Sequence, residues 1–173
     1  DGTIEEGRRL FKALNRPNVM IKVPATEAGL PAITTLLSEG INVNVTLIFA
    51  IAMYQRVMQA YLDGLDQAAA AGRDVATLAS VASFFVSRVD GLVDKQLRAK
   101  HGDDALVIED LLGQAGVANA KLAYQEYKRV FETELFAPHA AKGAQAQRPL
   151  WASTSAKDPS FSDTKYMDAL IGP

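Results

Sequence analysis

The sequence predicts an α/β fold that forms part of a (β/α)8 barrel. Strand-like runs alternate with amphipathic helical segments, the pattern of parallel strands joined by right-handed helical crossovers. One predicted strand also carries polar side chains along one face, which suits the interior of a barrel near its active end. The predicted strands number four, whereas a closed barrel has eight and typically takes about 250 residues. We therefore expect this 173-residue chain to cover about half of a barrel.

The individual elements follow from hydrophobic spacing and from signals at helix ends. Thr3 and Glu6 have the spacing of a capping box ahead of an apolar helical run, and Pro17 ends that first helix. Gly40 supplies the C-terminal stop of the second helix. The predicted helices are residues 4–14, 29–39, 50–71, 88–100, 117–136 and 163–170, and the predicted strands are residues 19–23, 42–48, 80–85 and 148–153.

The residue pattern of the second strand distinguishes a barrel from an open sheet. Asn42, Asn44 and Thr46 alternate with aliphatic residues, of which Leu47 is the last, so one face of the strand is predicted to be polar. An open sheet covered by helices on both sides should be apolar on both faces. The alternation therefore favours the barrel, with the polar row turned inward.

Lys22 lies inside a strand-like run, where a charged side chain is unusual. A lysine in a buried strand loses hydration of its ammonium group, which leaves more of the neutral amine that attacks carbonyl carbons. A lysine at a strand end, with its stem on apolar surface and its head in water, would give the same pattern. The strand position alone leaves both interpretations open.

The composition argues against several kinds of partner. The formal net charge of −2 supplies no basic field for nucleic acid, and no apolar stretch is long enough to span a bilayer. The chain has no cysteine, and His101 and His139 are far apart, so we expect no metal site. It opens with acidic residues rather than a basic and then apolar segment, which predicts no signal peptide and a cytoplasmic location.

Four runs of the sequence resemble the transaldolase family. They are IKVPAT at 21–26, INVNVTLIF at 41–49, SFFVSRVD at 83–90 and WASTSAK at 151–157, so the resemblance touches all four predicted strands. It implies that residues 1–173 are a single partial (β/α)8 barrel that comprises barrel strands 4 to 7 with their helices. A helical insertion is expected at about 103–147, where no family motif is found. That insertion resembles the longer transaldolases rather than the compact fructose-6-phosphate aldolase branch.

The resemblance implies Schiff-base chemistry at Lys22. Transaldolases transfer a dihydroxyacetone unit from sedoheptulose 7-phosphate to glyceraldehyde 3-phosphate, giving erythrose 4-phosphate and fructose 6-phosphate, in the pentose phosphate pathway. The lysine amine forms an iminium with the ketose, and this iminium is the electron sink, so no cofactor is expected. Thr46 would hold a proton-relay water, and Asn44 would bind substrate hydroxyl groups.

The resemblance also implies a phosphate site on the later strands. Arg88, at a predicted helix start, would bind the substrate phosphate, while Ser83 would lie beside the reacting part of the sugar. Ser153 and Lys157 would complete the phosphate site. Other branches place a basic residue closer to the serine, so the sequence leaves open whether Ser155 or Lys157 reaches the phosphate.

One departure from the family pattern concerns the acid and base partners. The family uses an aspartate on barrel strand 1 and a glutamate on barrel strand 3, and both strands are expected to precede residue 1. The resemblance therefore does not extend to catalytic activity of the fragment by itself. The expected protein partner of the fragment is the missing remainder of the barrel or another copy in a homo-oligomer. Two alternatives remain: a fructose-6-phosphate aldolase-like lyase, and a non-catalytic half barrel that binds sugar phosphates.

Overall fold

The computed structural model describes residues 2–100 and 105–171. Within these ranges the chain forms four strands, eight helices and one short 3-10 turn. The strands are β1 (Ile21–Pro24), β2 (Val43–Ile48), β3 (Ser80–Phe85) and β4 (Arg148–Ala152). The helices are α1 (Gly2–Leu14), α2 (Gly29–Ser38), α3 (Ile51–Ala70), α4 (Ser87–Arg98), α5 (Ala105–Leu111), α6 (Ala115–Phe131), α7 (Ala137–Ala140) and α8 (Lys165–Leu170), and the 3-10 turn is Val75–Thr77.

The four strands form one parallel sheet in the order β1-β2-β3-β4. Each strand therefore pairs with its neighbour in the chain. A single α-helix lies between β1 and β2 and between β2 and β3, whereas α4 to α7 lie between β3 and β4. This confirms the predicted α/β class, and the sheet is consistent with half of a (β/α)8 barrel. Within the ranges 2–100 and 105–171, no helix combines the length and the apolarity needed to cross a membrane.

Helices cover one face of the sheet. Alternate strand residues point to that face and are buried with apolar residues of α1, α2, α3 and α6. These strand residues are Ile21, Val23, Val43, Val45, Ile48, Ala82 and Phe84. On the opposite face, Lys22, Pro24 and Leu150 are exposed, whereas Thr46 and Ser83 are buried. The described helices thus leave the polar face open, and that face carries the candidate site.

The end of β2 departs from simple alternation. Its pairing with β3 is irregular between Val45 and Ile48, and Leu47 has a φ angle of +60°. As a result Leu47 is exposed and Ile48 is fully buried, so the predicted placement of Leu47 on the apolar face, opposite Asn44 and Thr46, is wrong. Asn42 lies before the strand and is also outside the polar row, because its amide bonds the Pro17 carbonyl and the Ala79 amide at the other end of the sheet.

The connection from β1 to α2 is tight. Thr26 Oγ1 accepts a hydrogen bond from the Gly29 amide at 3.0 Å, which satisfies one donor at the start of the helix. A Cβ atom at Gly29 would come within 2.1 Å of the Pro24 carbonyl oxygen. The glycine therefore allows α2 to begin directly against the end of β1.

Some predicted boundaries differ from the structure. Helix α1 begins at Gly2, so Thr3 lies in its first turn and the predicted capping box is wrong. The insertion predicted at 103–147 contains α5, α6 and α7 in its described part, and residues 103 and 104 lie outside the described residues. Pro138 occupies the first turn of α7, where a missing N–H group costs nothing.

Candidate active site

Three of the predicted site residues lie side by side on adjacent strands. Lys22 of β1 is in register with Asn44 of β2, and Ser83 Oγ of β3 donates a hydrogen bond to Asn44 Oδ1 at 2.7 Å. Neighbouring strands lie about 4.8 Å apart, so paired residues present their side chains to the same face. The structure thus brings Lys22, Asn44 and Ser83 into one row across the polar face of the sheet.

Thr46 extends this row toward the carboxyl end of β2. It is in register with Pro24, two residues beyond the Lys22–Asn44 pair, and its side chain is buried. Its hydroxyl group therefore lies on the same face as Lys22, two residues further along the strand direction. The sequence predicted this placement from alternation alone.

Lys22 is exposed, so of the two interpretations of its strand position the structure shows the one in which the side chain reaches water. The reason is geometric: the described helices pack on the other face of the sheet, so side chains on the polar face of β1 reach solvent. Ile21 and Val23 on either side of it are buried. The strand backbone is therefore fixed in the core while the amine is accessible to a ligand.

The hydrogen bond between Ser83 and Asn44 sets the orientation of the asparagine amide. Because Oδ1 accepts from the serine hydroxyl, the Nδ2 group of Asn44 is left to donate to a substrate oxygen. Ser83 is only 3% exposed, so its side chain is held by the surrounding sheet. The pair offers a fixed donor beside the Lys22 amine.

A second group of polar residues lies where β3 and β4 end. Ser87 begins α4, and its Oγ lies 2.8 Å from Ser153 Oγ in the loop after β4. The Ser87 amide donates to the Ser153 carbonyl at 2.9 Å, and Ser153 has a φ angle of +56°, which few non-glycine residues adopt. These contacts fix the Ser153 hydroxyl at the N-terminus of α4, where an anion is favoured.

Arg88 is the second residue of α4 and is exposed. Its guanidinium carbon lies 5.1 Å from the centre of the Phe85 ring, and the Phe85 ring lies 5.2 Å from that of Phe49. Stacking on an aromatic ring restricts the arginine while its N–H groups remain free to bind an anion. The sequence predicted the position of Arg88 but not this aromatic support.

The two residues between which the sequence could not choose lie together. Lys157 Nζ donates to Ser155 Oγ at 2.8 Å, so the hydroxyl and the ammonium group occupy the same place in the loop after β4. An anion bound there would be within reach of both. Ser87, by contrast, carries no distinctive sequence signal, and only its position between the strand end and Arg88 points to it.

A pocket of about 450 Å³ lies between α4 and the loop after β4. Ser87 and Lys157 line it together with Asp90 and Tyr166, whereas Lys22, on β1, does not. The pocket therefore lies beside the polar residues at the ends of β3 and β4 and not over the lysine. Among the residues that the structure describes, no three His, Cys, Asp or Glu side chains are grouped to hold a metal ion; His101 lies outside those residues.

The whole chain, residues 1–173, matches the family described as Transaldolase/Fructose-6-phosphate aldolase. The chain belongs to this family. It is 55% identical over 171 residues to the protein named Transaldolase from Saccharopolyspora erythraea. The matched region covers 99% of this chain and 45% of that relative. It is 51% identical to Transaldolase 2 from Nostoc sp. and 53% identical to Transaldolase from Mycolicibacterium paratuberculosis, each matched over 46% of its length.

Membership in the transaldolase/fructose-6-phosphate aldolase family confirms the resemblance drawn from the four motif runs. The chain spans slightly less than half the length of the curated relatives it matches. None of the four strands contains an aspartate or a glutamate, so the row on the polar face offers an amine, an amide and hydroxyl groups but no carboxylate.

Proposed function

We propose that the protein carrying this sequence is a transaldolase that transfers a dihydroxyacetone unit between sugar phosphates, with Lys22 as the Schiff-base residue. The observation that carries the proposal is the row of Lys22, Asn44 and Ser83 on three adjacent strands, joined by strand register and by the 2.7 Å hydrogen bond. Family membership and the transaldolase names of the relatives support the same activity.

The proposed chemistry begins at the accessible amine. Lys22 Nζ attacks the ketone carbon of a ketose phosphate, and loss of water gives an iminium. Cleavage of the next carbon–carbon bond sends its electron pair into the iminium, which yields an enamine and releases an aldose phosphate. The enamine then attacks the aldehyde of a second aldose phosphate, and hydrolysis of the new iminium frees the lysine and the product ketose phosphate.

The neighbouring polar residues have separate tasks in this proposal. Asn44 donates its amide N–H to a substrate hydroxyl group, because Ser83 occupies the amide oxygen. Thr46, two residues further along β2, holds the water that moves protons during iminium formation and hydrolysis. Ser83 supports Asn44 and lies beside the reacting part of the sugar.

The substrate phosphate binds at the end of the site formed by α4 and the loop after β4. Arg88 supplies a guanidinium fork, held against Phe85, and Ser153 supplies a hydroxyl group at the helix N-terminus. Lys157 and Ser155 close the site from the loop. The relatives are about twice as long, so we assign the carboxylate acid and base to barrel strands outside these 173 residues.

Borohydride trapping tests this proposal. Full-length protein is incubated with fructose 6-phosphate and reduced with sodium borohydride, which converts an iminium to a stable secondary amine. Peptide mass mapping should place the adduct on Lys22, and Lys22→Arg should give no adduct and no transfer because arginine does not form the imine. Lys12→Arg, a change of the same kind at an exposed lysine of α1, is the matched control and should be trapped as wild type.

The same preparation separates the alternatives. A transaldolase needs an acceptor aldose phosphate for turnover, whereas a fructose-6-phosphate aldolase releases dihydroxyacetone to water without one. A non-catalytic half barrel would bind sugar phosphate and give no borohydride adduct. Trapping at a different lysine, or full transfer activity in Lys22→Arg, would refute the assignment of Lys22.

A further inference from the structure

Helix α4 carries a buried carboxylate for which the proposed chemistry has no use. Asp90 is 2% exposed and lies two residues after Arg88. Its Oδ2 accepts a hydrogen bond from Tyr166 Oη at 2.7 Å, and its Oδ1 accepts from the Gly116 amide at 2.6 Å. Both oxygens are thus bonded to groups distant in the chain, on α8 and α6 respectively.

The Gly116 contact places the N-terminus of α6 against the start of α4. A Cβ atom at Gly116 would come within 2.6 Å of the Val86 carbonyl oxygen, so only glycine permits this approach. The Asp90 carboxylate satisfies a free amide there and complements the positive end of the α6 dipole. One turn later, Asp94 accepts from the Gly113 amide at 2.9 and 3.1 Å. These hydrogen bonds hold α4 against the N-terminus of α6 and the residues just before it.

Tyr166 connects the Asp90 carboxylate to the segment after β4, which carries the other residues of the proposed phosphate site. It lies on α8, and the segment between β4 and α8 carries Ser153, Ser155 and Lys157. Tyr166 is 2% exposed. Its burial, followed by the hydrogen bond to Asp90, raises the pKa of its hydroxyl group, which therefore stays a proton donor. The segment is thus held at one end by the Ser153–Ser87 pair and near its other end by Tyr166.

We infer that Tyr166 and Asp90 are positioning residues for phosphate binding: their hydrogen bond sets the loop of Ser153 and Lys157 against the helix of Arg88. This inference rests on the proposed function, because it takes that end of the site as the place where the substrate phosphate binds. Neither residue contacts the reacting carbons in this scheme. Loss of their bond should therefore weaken phosphate recognition and leave the chemistry at Lys22 unchanged.

Tyr166→Phe removes only the hydroxyl group and keeps the buried ring. The matched control is Tyr61→Phe, because Tyr61 is also buried and donates to a loop carbonyl, that of Gln145, at 2.6 Å, but in the loop before β4. Arg88→Ala is the reference for direct loss of a phosphate contact. Each variant is made in the full-length protein, and its melting temperature reports the structural effect.

Two readouts move only if the bond positions the phosphate site. The dissociation constant of inorganic phosphate, measured by calorimetry, should rise about fivefold in Tyr166→Phe, the size expected for one lost hydrogen bond. KM for fructose 6-phosphate should rise by a similar factor, while kcat/KM for phosphate-free dihydroxyacetone as donor stays within twofold. Asp90→Asn, which keeps an acceptor for the Gly116 amide but loses the charge, should shift both quantities in the same direction.

The inference is overturned if Tyr166→Phe and Tyr61→Phe lower the melting temperature but leave the phosphate dissociation constant unchanged. It is also overturned if phosphate-free and phosphorylated donors suffer equally in Tyr166→Phe. The proposed function fails separately, if the wild-type protein gives no borohydride adduct. In that case weaker binding of inorganic phosphate by Tyr166→Phe would still support the positioning role.

Discussion

Two serines on the same strand allow the polar face to be tested against the covered face. Ser83 and Ser80 are both buried in β3, at 3% and 2% exposure, but they point to opposite sides of the sheet. Ser83 donates to Asn44 Oδ1 at 2.7 Å. Ser80 donates to the Val43 carbonyl at 2.7 Å and accepts from Gln147 Nε2 at 2.9 Å. The substitutions Ser83→Ala and Ser80→Ala are thus chemically identical changes in different surroundings.

The two variants should rank in opposite orders for stability and for activity. A buried hydrogen bond contributes about 1 kcal/mol net, so the free energy of unfolding should fall by about 1 kcal/mol in Ser83→Ala and about 2 kcal/mol in Ser80→Ala. Ser83→Ala also releases the amide that faces Lys22, which should lower kcat/KM for transfer by about five- to tenfold, or about 1 to 1.4 kcal/mol of barrier. Ser80→Ala should leave kcat/KM within about twofold, because its bonds lie on the helix side of the sheet.

Urea unfolding of the full-length protein gives the stability change, and consumption of fructose 6-phosphate with an acceptor aldose phosphate gives kcat/KM. Activity is measured well below the unfolding midpoint, so that partial unfolding does not imitate a catalytic defect. If activity in the two variants simply follows their stability, Ser83 has no role beyond packing and the proposed orientation of Asn44 is wrong.

Two further predictions concern the segments that follow β1 and β4. Gly29→Ala should lower the free energy of unfolding by about 3 kcal/mol or more, because the new Cβ would lie 2.1 Å from a backbone oxygen of β1. Gly91→Ala, which has open space around the new carbon, should raise the free energy of unfolding by about 0.5 to 1 kcal/mol. Equal effects of the two substitutions in urea unfolding would contradict this packing. The backbone amide and then the hydroxyl of Ser160, followed by Arg98, lower the pKa of Asp158 to about 2. Since the folded-state pKa lies below the unfolded value of about 3.9, this contribution to stability is present above about pH 4 and is lost as the pH falls toward 2. The stability difference between wild type and Asp158→Asn should therefore shrink over that range, and a difference that is the same at pH 5 and pH 2 would refute the assignment.

The sequence predicted those parts of the fold that depend on local pattern. The strand at 80–85 was predicted with its observed bounds, and the inward placement of Asn44 and Thr46 followed from alternation. Leu47 was placed wrongly because a leucine at φ +60° is not a local preference, and the irregular pairing with β3 imposes it. The exposure of Lys22 stayed open at the level of sequence, because the sequence does not show which face of the sheet the described helices cover.

The contacts that complete the site join residues far apart in the chain. Ser87 bonds Ser153 across 66 positions, and Asp90 bonds Tyr166 across 76. No spacing rule relates such pairs, since the strand order and the packing of α6 against both α4 and α8 bring them together. Motif resemblance named Arg88 and Ser153 as candidate phosphate residues, but it could not indicate the hydrogen bond between Tyr166 on α8 and Asp90 on α4.

The agreement between strand order and chain order has a consequence for how the protein is made. Because β2, β3 and β4 each pair with the strand before them in the chain, the pairing partner of each new strand has already been synthesised. Among the four described strands, none has to be inserted between two that have already paired, so each pairing closes only the connection between consecutive strands. Lys22, Asn44 and Ser83 lie on three consecutive strands, so two successive pairings, β1 with β2 and β2 with β3, bring them into one row.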